Sequence, residues 1–416
     1  MLTVQAFQGY RFGPDVVRKI DEVITPPFDV ITSEQRALLA ARSPNNMVHV
    51  ILPEARGEGD KYDDAARDLK RRLDGNVLIQ DNVPSFYVLE QTFRDIDGRE
   101  HKRRAFYALT KLPEPGEETV LGHERTFAHK IQDRLALTRA TRTYFGAVFV
   151  MYNDESNELG FVYDAIRQGE ALLEAHTIDG VTQRMWRIDD DPRVTAFFRD
   201  KTLYIADGHH RYATALAYRD EMRVRNNGAP GPYDYIMMGF VSFQDPGLLV
   251  YPAHRVCDQP DGMSFDALRS RLNEYFDVVP ANGDLAQRVR FEPGCVFGLA
   301  ARGAGHHLLR LRDVDRADWL GNDHGPAWRD LDVAVLHRGV LEQLVGLPEG
   351  AELIYEPDAQ KAVAYADRGE KGLAFLTKPA TPQQIRACAD AGEYMPQKAT
   401  YLYPKLPTGP VIYRMA

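Results

Sequence analysis

Cysteine is scarce in this 416-residue chain: Cys257, Cys295 and Cys388 are widely separated, odd in number and never in a CxxC spacing. That scarcity excludes a disulfide-stapled scaffold and a cysteine-held zinc site, and a reducing, cytoplasmic setting is expected. No stretch approaches the roughly 18 consecutive apolar residues of a membrane helix. The first residues, MLTVQAFQGYRFGPD, lack the basic-then-apolar order of a secretion signal, so a membrane is not expected as a partner. Positive charge is also in short supply. With 51 Lys and Arg against 60 Asp and Glu the formal charge is −9, so no overall field draws the chain onto DNA, which is not expected as a partner. Three familiar signatures are missing as well: there is no GxxxxGKS/T, no GxGxxG behind a strand and no GxSxG elbow. P-loop, Rossmann and nucleophile-elbow chemistries are set aside accordingly.

What remains is an ordinary globular composition, 44% hydrophobic and 27% charged, with 32 Gly and 25 Pro. At about 150 residues per domain, the length predicts two or three domains. Thr32 with Gln35 forms a capping box that opens a helix through Arg42. Two alternating runs, SFYVLEQTF and RRAFYALTKL, flank Asp97-Gly98 and predict a hairpin. The pattern then predicts a helix over 130–142, a strand over 144–152, a helix around 164–175 and the strand VTQRMWRI. A short helix near 194–198, a strand over 202–206, a helix from His209 to about 223 and the strands YIMMGFVSF and LLVYPAHRV follow. Beyond Pro260 come the helix FDALRSRLNEYF, strands CVFGLA and HLLRLR, the helix DVAVLHRGVLEQLVGL and further alternation as far as ATYLYPKLPTGPVIYRM. The alternation predicts an α+β protein, mixed sheets flanked by helices. A linker-like Asp258-Gln-Pro-Asp-Gly262 predicts two domains, 1–255 and 256–416.

The most informative string is LYIADGHHRYATAL, Leu203 to Leu216. A strand, a turn at Asp207-Gly208 and a helix opening with His209, His210 and Arg211 would offer backbone N–H groups and a positive dipole end to an anion. Gly208 permits close approach, Arg211 supplies a planar fork for two phosphate oxygens, and the histidines can donate hydrogen bonds or shuttle a proton. The plainer alternative makes Asp207 an ordinary N-cap. A metal shared by both histidines is disfavoured, because adjacent helical side chains diverge by about 100°. In a second string, Gly122-His-Glu-Arg-Thr-Phe127, Glu124 can act as a general base or, like Asp207, as a magnesium ligand. Arg125, Lys130 and Arg134 can bind phosphate, and His123 and Thr126 can line a substrate. A third string, Met395 to Lys405, places Lys398 and Lys405 on an extended segment, where they neutralise a substrate carboxylate or phosphate, or else blunt an edge strand. The loops Pro26-Pro27-Phe28-Asp29 and Pro252-Ala-His-Arg255 read as structural.

These strings resemble one family over nearly the whole chain: the bacterial and archaeal proteins of domain of unknown function 1015. The likeness runs through PPFDVI, the HERT string with Asp133-Arg134-Leu135, the Trp186 strand, IADGHHRYATAL, His254-Arg255 and MPQKATYLYPKL. That family is in turn similar to the ParB/sulfiredoxin superfamily, whose strand-turn-helix motif holds nucleotide phosphates. Partition proteins have Gly-Glu-Arg-Arg-Tyr where Gly208 to Tyr212 stand. Sulfiredoxins have Gly-Cys-His-Arg, and His209 takes the place of their reactive cysteine. Free serine kinases resemble the chain at Asp207 to Arg211 and use a separate glutamate as base. The resemblance implies that residues 1–255 form the phosphate-binding domain and that Asp207, Gly208, His209, His210 and Arg211 hold the donor phosphates. It also implies that Glu124 takes the proton of a substrate hydroxyl, with Glu34 and Glu90 as alternatives. The expectation is a kinase for a small-molecule hydroxyl, free L-serine by preference, using ATP, ADP or pyrophosphate with Mg2+. A homo-oligomer is compatible with it. Two rivals stay open: a nucleotide-gated, ParB-like DNA-associated switch, and a metal-dependent phosphohydrolase using His123, Glu124, Asp207 and His210.

Overall fold

The structure, a computed structural model, describes residues 1–55, 59–167, 169–348 and 350–415. Its chain is α+β and separates into two compact units. One comprises Met1–Gly122, Thr126–Leu249 and Pro404–Ala416; the other comprises His123–Arg125 and Val250–Tyr403. The units are therefore interleaved in sequence, with the residues from Pro404 onward rejoining the first.

The first unit is built on nine strands: β1 (Val4–Gln5), β2 (Ser85–Arg94), β3 (Glu100–Lys111), β4 (Val120–Leu121), β5 (Val148–Tyr152), β6 (Leu173–His176), β7 (Thr182–Asp189), β8 (Leu203–Asp207) and β9 (Tyr235–Ser242). Their order is β4-β8-β5-β9-β3-β2-β7-β6, with β1 also on β3. The sheet is mixed: β9 runs parallel to β5, and β4 to β8, while the other pairs are antiparallel. In the central strands β2, β3, β5, β8 and β9 both faces are largely buried, so alternation there sorts side chains by kind rather than by exposure. On one face Phe86, Phe106, Val150 and Phe240 join a core cluster with Ile205 and Phe198, and the Phe106 and Phe240 rings stack at 4.7 Å. The other face carries Tyr87, Gln91, Arg103, Tyr107 and Phe149, all buried.

Three helices follow the predicted pattern. Helix α1 (Ser33–Arg42) has the Thr32–Gln35 capping box, α2 spans Ala128–Thr141, and α3 spans His209–Arg225 and packs on α2. The hairpin turns at Gly98, whose φ is 78°. Two expectations are corrected. The predicted strand over 144–152 is broken: Thr143–Tyr144 pairs with Tyr413–Arg414, and β5 starts only at Val148. The predicted helix at 164–175 is a short helix, Gly160–Asp164, a turn through Arg167 and then the strand β6, in which Leu173 and Ala175 are buried and Glu174 and His176 exposed. Gln168 in that span lies outside the described residues.

The second unit has a six-stranded sheet of β10 (His254–Cys257), β11 (Phe276–Pro280), β12 (Val296–Ala301), β13 (Gly305–Leu311), β14 (Ile354–Glu356) and β15 (Leu373–Leu376), ordered β11-β13-β12-β15-β10-β14. Here the predicted helix FDALRSRLNEYF ends at Leu272, and Phe276 already belongs to β11.

Candidate functional site

The string Leu203–Leu216 folds as strand, turn and helix, and its details depend on a local irregularity. Ile205 pairs with Val150, but Asp207 pairs with Phe149, so β8 carries a bulge at Ala206. A bulge of one residue re-aims the side chains beyond it. Without the shift Asp207 would share the core face with Ile205; with it, the carboxylate stands on the face of Phe149. Asp207 is the last residue of β8 rather than the helix cap. The N-cap of α3 is Gly208, in the left-handed region at φ 95°, with no side-chain capping bond. The first turn of a 17-residue helix thus presents its amides over a residue without a side chain. Arg211 folds back over this turn, so close that a Cβ on Gly208 would lie 2.9 Å from its guanidinium. Its Nη1 donates to the Ala147 carbonyl and its Nη2 to Asp207 Oδ2 at 2.6 Å.

The other Asp207 oxygen accepts from Lys405 Nζ at 2.5 Å, an ion pair in which both side chains are nearly buried. Burial alone would raise the Asp207 carboxyl, but Lys405 and Arg211 more than offset it and hold it well below the usual carboxylate range. The carboxylate is therefore a bridge between two cations. Burial is also the leading cause that pulls His209 down to about 3, so its ring is neutral. That ring packs against backbone: a Cβ on Gly122 would meet it at 3.0 Å. His210 accepts from the Phe127 N–H at Nε2, 3.1 Å away, which leaves Nδ1 to carry its ring proton, and its ring stacks on Phe127. Lys130 lies 5.6 Å over the Phe127 ring, and Thr126 is exposed beside it.

The other expected residues are placed elsewhere. Arg134 is buried and engaged, donating to Asp133 and to the Ile51 carbonyl and lying 4.1 Å over the Phe28 ring. With Pro27, Phe28, Phe145, Thr408 and Arg211 it lines a cavity of about 60 Å³. The Pro-Pro-Phe loop, read as structural, thus forms a wall of a cavity that reaches Arg211, with room for a few waters. His123, Glu124, Arg125 and Lys398 belong to the second unit. There the Thr400 hydroxyl lies 3.0 Å from His123 Nε2 and donates to Glu124 Oε1 at 3.3 Å, while Arg125 and Lys398 are exposed. Of the alternative bases, Glu90 is buried and ion-paired with Arg104 and Lys102, and Glu34 is exposed in the first turn of α1.

A magnesium role for Asp207 does not fit this arrangement, since each of its oxygens already faces a cation. Among the described residues no group of three or more His, Cys, Asp or Glu side chains is placed to hold a metal. The four residues of the phosphohydrolase rival are divided between the two units, as Glu124 and Arg211 of the kinase reading are, so the division favours neither. Sequence reading missed Arg103, which is fully buried on the same sheet face and interacts electrostatically with Asp207. Nothing in the sequence set it apart, since it stands in the charged stretch Glu100-His-Lys-Arg-Arg104.

A family model described as "Protein of unknown function (DUF1015)" matches residues 4–334. No curated protein matches the chain. Among solved structures, it is similar to a free serine kinase in complex with AMP, at 15% identity and TM-score 0.37, covering 74% of this chain and 91% of that one. A conserved hypothetical protein from Pyrococcus furiosus gives 14% identity and TM-score 0.35, covering 73% and 93%. SbnI with a C-terminal truncation, from Staphylococcus aureus, gives 12% and 0.37, covering 73% and 85%. With overlaps this partial, any functional reading rests on the site itself. No helix among the described residues is long and apolar enough to cross a membrane.

Proposed function

This chain belongs to the DUF1015 family, and we propose that it is a small-molecule kinase that moves a phosphoryl group from a nucleotide or pyrophosphate to the hydroxyl of a polar metabolite, free L-serine being the acceptor we name. One observation carries the reading: an uncapped helix start at a left-handed glycine, with Arg211 folded over it and Lys405 held beside it through Asp207. Amides, guanidinium and ammonium together make a fixed positive site of the kind that suits a polyphosphate.

In the step proposed, the acceptor oxygen attacks the terminal phosphorus in line, the bond to the leaving phosphate breaks, and the hydroxyl proton passes to a carboxylate. Such transfers need little covalent help, so catalysis comes from positioning and from charge stabilisation on the moving group. Arg211, Lys405 and the first-turn amides fill that role. Asp207 is a positioning residue that orients the two cations. His209 and His210 act as hydrogen-bonding groups on the donor, and any magnesium belongs to the donor's phosphates rather than to Asp207. The base falls to Glu124 by its sequence resemblance. The test is formation of phosphoserine from L-serine with ATP, ADP or pyrophosphate offered in turn. Arg211→Ala is expected to lower kcat/KM by about 100-fold or more, the usual loss when a transition-state donor is removed. Undiminished turnover in that variant would overturn the reading.

A further inference from the structure

The sheet face opposite the aromatic core carries a transverse row. Register partners across β7, β2, β3, β9, β5 and β8 are Arg187, Tyr87, Tyr107, Gly239, Phe149 and Asp207. The row has a gap at Gly239. A Cβ there would lie 2.5 Å from Leu406 Cδ1 and 3.7 Å from Tyr107, so the missing side chain is the seat of Leu406. The segment from Pro404 crosses the sheet at that point, and its next residue is Lys405.

A second row on the same face, Gln183, Gln91 and Arg103, is also in register and almost wholly buried. It grips the segment by its backbone. Gln91 Nε2 donates to Gln183 Oε1 and to the Lys405 carbonyl, both at 3.0 Å. Arg103 Nη2 donates to Gln91 Oε1 and to the Pro404 carbonyl. The guanidinium lies 4.7 Å over the Phe149 ring, and its Nε and Nη1 have no hydrogen-bond partner among the described residues. Fixing a peptide segment for stability alone does not call for a buried cation with idle donors; an apolar contact does that at lower cost. What the polar clamp adds is direction. A lysine side chain has long, freely rotating methylenes, and its ammonium is held in place only if both ends are held. Here the clamp fixes the main chain on either side of the Lys405 Cα, and Asp207 receives the ammonium.

We propose that Gln183, Gln91 and Arg103 are positioning residues that set the Lys405 ammonium in the phosphate site, an inference that rests on reading the Gly208 turn as that site. They touch neither donor nor acceptor and act through Lys405.

The experiment is a double-mutant cycle read by titration calorimetry with inorganic pyrophosphate as the probe. Lys405→Ala and Gln91→Leu are each expected to weaken binding about tenfold, and the double variant to bind within twofold of Lys405→Ala, since residues acting as one unit are not additive. Gln183→Leu removes only the outer partner of Gln91; it is expected to weaken binding about threefold alone and not at all in the Lys405→Ala background, and it serves if Gln91→Leu fails to fold. The proposal is overturned if the clamp variants bind as wild type, if they weaken binding equally in both backgrounds, or if Lys405→Ala binds as wild type. In each of those outcomes the turn still binds pyrophosphate. A wild-type chain that binds neither pyrophosphate nor ADP removes the phosphate reading itself, and the clamp's role with it.

Discussion

At position 208 the backbone sits at φ 95°, and a Cβ would meet three guanidinium atoms of Arg211 at 2.9 Å. Both facts bear on a single substitution. Gly208→Ala forces an L-residue into the left-handed region and pushes Arg211 off the turn, with an expected loss of at least about 1 kcal/mol of stability. Denaturant unfolding measures that loss, and calorimetry with pyrophosphate measures the displaced arginine. A Gly208→Ala protein that binds pyrophosphate as tightly as the parent would show that Arg211 is not a phosphate ligand. The turn itself was legible in the sequence, because a glycine between an apolar strand and a helical pattern has few other uses. The duty of Asp207 was not. A cap and a bridge between two cations look alike in sequence, and the bulge at Ala206 that separates them leaves no compositional mark.

Among the elements, the 404–412 segment depends on space as much as on bonds. Beyond the clamp it is held by paired backbone bonds between Thr25 and Thr408 and between Tyr10 and Ile412. Gly239→Val would fill the seat of Leu406 and is expected to speed hydrogen exchange of the amides around 404–409 while the β2–β3 ladder stays protected. Unchanged exchange would mean that Leu406 is not what anchors the segment. The hairpin, α1, α2 and α3 were readable because caps, turns and periodicity are local. The break in the 144–152 strand was not, because the partner that pairs with Thr143–Tyr144 is Tyr413–Arg414, far along the chain. Strand β6 was missed for a different reason: four residues at a sheet edge give too short an alternation to outweigh a helical reading. Lys405 could be named as a ligand from its charge, but nothing local fixed its partner.

For the molecule as a whole, acid should act through histidine. Burial is the first cause that pulls His209 to about 3, His254 to about 4 and His337 to about 3, from an ordinary 6.5. Below that ordinary value the unfolded chain takes up protons that the folded chain refuses, so stability is full above it and falls as the pH drops toward 4. Carboxylates held low, Asp207 among them, extend the loss to still lower pH, because their stabilising charge disappears only there. Thermal unfolding followed by circular dichroism should show little change between pH 8 and 7 and a steady fall in Tm from about pH 6.5 to 4.5. A level Tm across that interval would mean that these imidazoles are protonated in the fold.

The ion pair between Asp207 and Lys405 spans 198 positions of sequence. A ribosome finishes all nine strands of the sheet, then the whole of 250–403, before it adds that lysine. The nascent protein therefore carries the turn, Arg211 and the waiting carboxylate without the ammonium, and an expression fragment stopped at residue 249 would do so permanently. Contacts this distant in sequence also form late and slowly. On the phosphate reading proposed above, the share of the affinity that belongs to Lys405 is thus withheld until translation has passed the second unit.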